Sequence, residues 1–365
     1  MKIVFVITGL GLGGAEKQIC LLADRLADAG NEIHIISLTG ETIVKPENNH
    51  IEINRLDMKK SPLGFLSGLL KLRNTIKKLK PDVVHCHMFH ANIMMRLAGL
   101  LTHRPYRLIC TAHSKNEGGK LRMYLYRFTD SLCDINTNVS KEALDEYIDK
   151  KAFSNTKSLV IYNGIDTDKF SYKNEARVSL RKALAVNDSD QLILTVGRLT
   201  PAKDYPNLLN AFIQLPESFK LVIIGEGEVR QQLENIIHIN ALSDRVKLLG
   251  GISSVSDYYS ACDLFVLSSA WEGFGLVVAE AMACERIAVC TDAGGVKEVV
   301  GNANFIVPVS DPKALANKII SVSKLSEEQK AGIEKENRKH IINNFSIASV
   351  IDRWLNVYKT MQVNK

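Results

Sequence analysis

The chain has 365 residues, 46% hydrophobic and 24% charged, with a formal net charge of +6. That composition excludes disordered and collagen-like classes, and the length suits two domains that each bury a core. The mild positive balance suits an anionic ligand or a membrane surface without demanding either, and no nucleic-acid partner is expected.

The seven cysteines (20, 86, 110, 133, 262, 284 and 290) include no C-x-x-C pair. Neither a disulfide framework nor a zinc site is suggested, and a reducing, cytoplasmic compartment fits best. "MKIVFVIT" reads as a first buried strand rather than a signal peptide. No stretch reaches the roughly 20 apolar residues of a membrane span.

In "ITGLGLGGAEKQ" (7–18), Gly9, Gly11 and Gly14 follow a strand and open a helical pattern. A G-x-G-x-x-G loop there can hold a pyrophosphate. A dinucleotide site also needs an acid at the end of the second strand, "EIHIISLTG". Glu32 precedes that strand and no carboxylate follows before Glu41. A tight turn, or a loop that approaches a phosphate or sugar, remains.

"MKKSPLGFLSGLLKLRNTIKKLKP" (58–81) holds seven basic residues and no acid. Phe65, Leu69, Leu72, Ile76 and Leu79 form one helical stripe. Either a helix packs on the sheet with a solvated basic face, or Lys71, Lys77 and Lys78 face anionic lipid. "HCHMFH" places His85, His87 and His90 close together after a strand. One histidine is expected to face the acceptor, the others to be structural, and a metal site is a weak alternative without nearby acids. Further strands are "RLICTAH", "DINTNVS" and "SLVIYNG". Asn163 and Asp166 in "NGID" are expected to shape a turn, and the polar run 166–177 to be a linker.

The alternation restarts with "QLILTVG", "KLVIIGEG", "VKLLGG", "DLFVLSS" and "RIAVCTD". Strands this apolar are buried on both faces, which means parallel sheets covered by helices. After the first of them, "VGRLTPAKDYPNLLNAF" places Arg198 and Lys203 at a strand's carboxyl end, where two cations suit a diphosphate. In "SSAWEGFGLVVAEAMAC", seven residues separate Glu272 from Glu280. Gly273 and Gly275 flank Phe274 where the chain turns into a helix. Glycines let backbone amides approach a ligand, the helix start favours an anion, and a carboxylate can accept from vicinal hydroxyls. "DSD" (188–190) reads as a turn before a strand. Helical patterns fill the chain beyond Pro312, and the last one carries Val350, Trp354 and Val357.

The "GGAE" loop, "NGID", "VGRL…K", "GEG", "DLFVLSS" and "EGFGLVVAE" together resemble retaining glycosyltransferase family 4 over nearly the whole chain. The resemblance implies the α/β GT-B fold, two facing Rossmann-like doubly wound parallel-sheet domains with a cleft between them. It places an acceptor domain at 1–168, a nucleotide-sugar domain at 169–345, and a final helix at 346–365 that returns to the first domain. Arg198 and Lys203 would hold the diphosphate, Glu280 the ribose, and Glu272 a hydroxyl of the donor sugar. Amides at Phe274, Gly275 and Leu276 would touch sugar and phosphate, beside Gly273. Gly13 and Gly14 would close over the reacting centre, and His113 matches the family's cleft histidine. The chain departs from the family pattern at Glu285 and Ile287, where a glycine and a proline are usual, and at Ser114, where an aspartate is.

The implied reaction moves a hexose or N-acetylhexosamine from a nucleotide sugar, UDP favoured, to a glycan hydroxyl. The acceptor is expected to be lipid-pyrophosphate-linked, in polysaccharide or O-antigen-type assembly at the inner face of the cytoplasmic membrane. Prearranged positive charge would stabilise the leaving diphosphate, so no metal or other cofactor is expected. A sugar-nucleotide epimerase and a non-catalytic sugar-nucleotide-binding module are the alternatives.

Overall fold

The computed structural model describes residues 1–100, 104–115 and 117–360. The chain forms two compact units. The first runs to Gly164 and resumes at Ile347; the second is Ile165–Ser346.

The first unit contains, in chain order, β1 (Lys2–Ile7), α1 (Gly14–Asp28), β2 (Glu32–Ser37), β3 (Glu52–Arg55), α2 (Pro62–Leu79) and β4 (Val83–His87). It continues with α3 (Phe89–Leu100), β5 (Arg107–Ala112), α4 (Lys120–Thr129), β6 (Ile135–Asn138), α5 (Lys141–Asp149) and β7 (Ser158–Val160). Its sheet has the order β3-β2-β1-β4-β5-β6-β7, with every pairing parallel. Alternation along β1 explains the two covered faces. Ile3, Phe5 and Ile7 face α1, whereas Val4 and Val6 face α2 and α3. Local signals place the helix starts: Ser61 accepts from the Gly64 amide ahead of Pro62, and Ser140 caps α5 through Ala143.

The second unit contains α6 (Asn174–Ala183), β8 (Gln191–Val196), α7 (Tyr205–Phe212), β9 (Phe219–Ile224), α8 (Arg230–Ile239), β10 (Val246–Gly250) and α9 (Ser256–Ala261). Then come β11 (Leu264–Leu267), α10 (Leu276–Ala283), β12 (Ile287–Thr291), α11 (Val296–Val300), β13 (Ile306–Val307), α12 (Pro312–Ser323) and α13 (Glu327–Phe345). Its sheet runs β10-β9-β8-β11-β12-β13. β8 pairs with β9 from Gln191↔Phe219 to Val196↔Ile224.

The polar run 166–177 is not all linker, because α6 already begins at Asn174. Its arginines turn inward: Arg181 and Arg177 both meet the Asp263 carboxylate, which also accepts from the Leu192 amide at 2.7 Å. Asp166 is a turn former, accepting from the amides of Asp168 and Lys169 at 3.2 and 3.0 Å.

The last helix, α14 (Ile347–Thr360), belongs to the first unit. It buries Ile347, Val350, Ile351, Trp354 and Tyr358 in the cluster that holds Ile3, Phe5, Ile19 and Leu26. Val357 packs at the edge of that cluster. Each such side chain contributes about 1.5–3 kcal/mol. Among the described residues no helix is long and apolar enough to cross a membrane.

Candidate active site

In the second unit the site grows from the carboxyl ends of β8 and β11. Past β8 the chain passes Gly197 and Arg198 into a short turn, Pro201–Lys203. Two glycines make room for this path. A Cβ on Gly225 would lie 1.9 Å from the Gly197 carbonyl oxygen, and one on Gly227 would lie 2.2 Å from that of Leu199. The "GEG" motif is therefore a packing requirement of the Arg198 loop. The turn is stitched to the segment after β11: the Ala270 amide donates to the Ala202 carbonyl at 2.9 Å, and Ser268 Oγ donates to the Lys203 carbonyl at 2.9 Å.

That stitching joins two residues 69 positions apart. Lys203 Nζ donates to Glu272 Oε1 in an ion pair whose side chains are only 19% and 12% exposed. Ser269 Oγ donates to the same carboxylate oxygen at 2.7 Å. The ammonium and carboxylate expected to reach two different parts of a donor thus hold each other. Arg198 differs: it is exposed, and among the described residues its guanidinium has no partner. Arg198 is the exposed charge of this site and Lys203 the paired one.

Gly273, Phe274 and Gly275 turn the chain into α10. The Phe274 ring is buried, edge-on to Phe345 at 5.5 Å between centroids. Gly275 caps α10 at φ 90°, a left-handed conformation, with Val296 Cγ2 only 3.2 Å from where a Cβ would stand. No side chain caps the helix, so its first amides, beginning at Leu276, carry the positive end of the helix dipole. Glu280 stands one turn into α10 and accepts from the buried Tyr259 hydroxyl at 2.7 Å. Burial, with the neighbouring Glu280, pushes the Tyr259 hydroxyl well above its ordinary pKa, so it stays a donor.

Gly294 is a contributor that motif reading missed. A Cβ there would meet the Glu272 carbonyl oxygen at 2.4 Å, and its φ is 67°. The repeated glycine in "AGG" was the available signal. Glu285 also replaces a glycine at φ 62°, so the exit from α10 keeps its left-handed residue despite the departure from the family pattern.

In the first unit, Gly13 is the N-cap of α1, extended at φ −159°, and Gly14 opens the helix, also without a side-chain cap. Gly9 has a packing reason: a Cβ would lie 2.9 Å from the Thr39 carbonyl oxygen. His113 follows β5. Its Nε2 lies 3.0 Å from His87 Nδ1, and its amide donates to Glu117 Oε1 at 3.0 Å. Glu117, not anticipated, also accepts from the Tyr126 hydroxyl at 2.6 Å, and burial raises its pKa. It ties the loop after His113 to α4. Its partner Tyr126 lies nine residues away, so the polar run around Glu117 does not show that role locally.

Burial lowers His113 to about 4 and His87 well below its ordinary value, so both rings are neutral. His87 Nε2 is buried without a partner. A buried bare lone pair costs less than a buried orphan N–H, so the His87 proton sits on Nδ1 and is donated to His113 Nε2. His113 then carries its own proton on Nδ1. His85 is structural, joined to the Tyr358 hydroxyl at 2.8 Å and to Thr111 Oγ1 at 2.7 Å, and His90 is exposed on α3. Among the described residues no three His, Cys, Asp or Glu side chains are grouped to hold a metal ion. Lys71, Lys77 and Lys78 are exposed on α2, which buries Leu69, Leu72 and Ile76.

Two parallel-sheet α/β units, one of them presenting cations, paired carboxylates and uncapped helix amides at its strand ends, define a glycosyltransferase of GT-B architecture. The family profile Glycosyltransferase Family 4 matches residues 12–169, and Glycosyl transferases group 1 matches residues 177–340. The chain belongs to glycosyltransferase family 4. It is 27% identical over 321 residues to a Campylobacter jejuni enzyme, N-acetylgalactosamine-N,N'-diacetylbacillosaminyl-diphospho-undecaprenol 4-alpha-N-acetylgalactosaminyltransferase, covering 83% of this chain and 84% of that one. It is also 27% identical to the Escherichia coli UDP-Gal:alpha-D-GlcNAc-diphosphoundecaprenol alpha-1,3-galactosyltransferase, covering 82% and 81% of the two chains. The fold is similar to that of Anabaena HepE in complex with UDP and glucose, with a TM-score of 0.87 at 22% identity over 99% of this chain and 100% of that one.

Proposed function

We propose that this glycosyltransferase takes a nucleotide sugar, UDP-linked in preference, and moves a hexose or N-acetylhexosamine with retention of configuration. The acceptor is a hydroxyl of a lipid-pyrophosphate-linked glycan in polysaccharide or O-antigen-type assembly. The observation that carries the reading is the locked Lys203–Glu272 pair beside the unpartnered Arg198 and the uncapped start of α10. Names of two relatives include a diphospho-undecaprenol, and a structural neighbour was solved with UDP and glucose. These support the substrate classes.

In this reading Arg198, Lys203 and the amides at Phe274, Gly275 and Leu276 stabilise charge growing on the departing diphosphate. Such groups act before the bond breaks because they need no reorganisation. Glu280, held by Tyr259, accepts from the ribose hydroxyls. Glu272 accepts from a sugar hydroxyl with its free lone pairs while Ser269 and Lys203 fix its position. On the first unit His113 has its Nδ1–H to donate, and Gly13 and Gly14 start α1 with no side-chain cap. The cations replace a divalent metal, so dialysis against EDTA leaves the rate unchanged.

Ligand-observed NMR with UDP-, GDP-, ADP- and dTDP-sugars selects the donor, and lipid-pyrophosphate glycans are then offered as acceptors. An α-linked donor should yield an α-linked product. Release of free sugar or an epimer without any need for acceptor would replace transfer by the epimerase reading, and binding without turnover would leave a binding module.

A further inference from the structure

β5 ends at Ala112, and the His113 amide just beyond it donates to a side chain, Glu117 Oε1, at 3.0 Å. The other oxygen of that carboxylate, Oε2, accepts from the Tyr126 hydroxyl at 2.6 Å. The Tyr126 oxygen accepts in turn from Asn92 Nδ2 at 2.9 Å, and the same nitrogen donates to the Thr111 carbonyl at 2.9 Å. Thr111 stands two residues before His113. The hydrogen bonds therefore close a ring that leaves β5, crosses α3 and α4 and returns to β5. Thr111, Asn92 and Tyr126 are all buried.

Each member has the chemistry its place demands. Two donors point at Glu117, and a carboxylate is the side chain with two acceptor oxygens and no donor of its own. An amide there would turn an N–H group on one of them. Asn92 has two N–H bonds on Nδ2 and uses both in the ring. The tyrosine hydroxyl accepts one bond and donates the other. Burying a carboxylate is costly. Arg122, the neighbouring cation, donates to the Glu117 carbonyl oxygen and lies over the Phe89 ring at 4.7 Å. A neutral glutamine would be easier to bury but would break one bond of the ring. The charge is kept where it holds the main chain of His113, while His87 holds the imidazole at 3.0 Å.

We propose that Glu117 is a positioning residue for His113, and that the closed ring sets where the imidazole stands. The proposal rests on the reading of His113 as a group that meets the substrate. Glu117 holds in its ionised form, because a protonated carboxyl would bring a third hydrogen to a place where two donors already meet. Arg122 and Tyr126 of α4, Tyr147 of α5 and His113 at the end of β5 face it. Burial raises its pKa above the ordinary value, so the holding form is lost as pH falls through that raised pKa. Turnover should fall with it.

The test compares Glu117→Gln, Tyr126→Phe and the double variant in the full chain. Without substrate, ¹⁵N NMR should show the single Nδ1–H form of His113 in the wild type and a mixture of the two forms in each variant. With the donor selected from the UDP-, GDP-, ADP- and dTDP-sugar panel, kcat should fall about 10- to 100-fold with KM little changed, the scale of a displaced catalytic group. The double variant should lose no more than the poorer single one, since either change opens the same ring. The acid limb of the kcat profile should move to lower pH in Glu117→Gln, which has no carboxyl to protonate. Melting curves and circular dichroism identify a variant that has lost its fold, and the other single variant then decides. An unaltered His113 tautomer and acid limb in folded Glu117→Gln overturn the proposal, as do losses that add in the double variant. If His113→Asn leaves kcat unchanged while the tautomer still responds to Glu117→Gln, the positioning stands and the catalytic reading of His113 fails.

Discussion

Lys203→Ala tests the ion pair and the catalytic reading at once. The substitution leaves Glu272, a carboxylate only 12% exposed, with Ser269 Oγ as its remaining donor. Stranding a buried charge costs about 3–5 kcal/mol; the surviving hydrogen bond and residual solvent contact lower this to about 2–3 kcal/mol. For a unit of this size that is a fall of roughly 5–10 °C in melting temperature. Glu272→Gln in the same background removes the stranded charge, so the double variant should regain most of the loss. Calorimetry on wild type, both single variants and the double variant closes the cycle. Turnover follows a different pattern. Losing one preorganised charge at the leaving group should lower kcat by about 100- to 1,000-fold, and the double variant should not recover it. If Lys203→Ala melts like the wild type, or if the two stability losses simply add, Lys203 and Glu272 do not hold each other and the reasoning fails. If turnover is unaffected, Lys203 does not serve the departing diphosphate.

Glu285→Gly should stabilise the second unit by about 0.5–1 kcal/mol, because glycine relieves the left-handed strain at φ 62° at some cost in unfolded-chain entropy; an unchanged urea midpoint would contradict this. His87→Asn keeps an N–H near Nδ1 and should retain the Nδ1–H form of His113 in ¹⁵N NMR, whereas His87→Phe takes away the donor that fixes this tautomer and should give a mixture of the two forms, lowering kcat more than it raises KM. His113 titrates at about 4 when folded against an ordinary 6.5. The unfolded chain takes up this proton first, so His113 lends full stability above about pH 6.5 and loses it as pH falls toward 4. His113→Asn should flatten that part of a urea-midpoint profile. Tyr259→Phe removes the hydroxyl that donates to Glu280 and should raise the donor KM several-fold without changing the fold, as read by donor titration and circular dichroism.

Apolar runs such as "KIVFVIT" and "DLFVLSS" announce both sheets, because a strand covered on each face has no need of polar alternation. β3 escaped this reading since "EINR" is an edge strand with an exposed Glu52. β13 has only two residues, too few to carry a pattern. The run 166–177 looked like linker because Arg177 and Arg181 are charged, and nothing local tells that Asp263 waits for them. The site was legible to the same depth. Spacing nominated Arg198, Lys203, Glu272 and Glu280, but the encounter of Lys203 with Glu272 needs two strand ends brought side by side. Support for His113 comes from His87 and Glu117, one on a neighbouring strand and one in a polar loop.

The return of α14 has a consequence for synthesis. The sheet it covers is made from the earliest residues of the chain, yet Trp354, which stands 4.3 Å from the His85 ring, is translated only after the whole of the second unit. Ile165 and Ser346, the ends of that unit, are bridged to each other, so the last helix starts from where the unit closes. The amino-terminal unit therefore leaves the ribosome first and is sealed last. During that interval Ile3, Phe5 and their neighbours lie bare along one side, a target for holding chaperones.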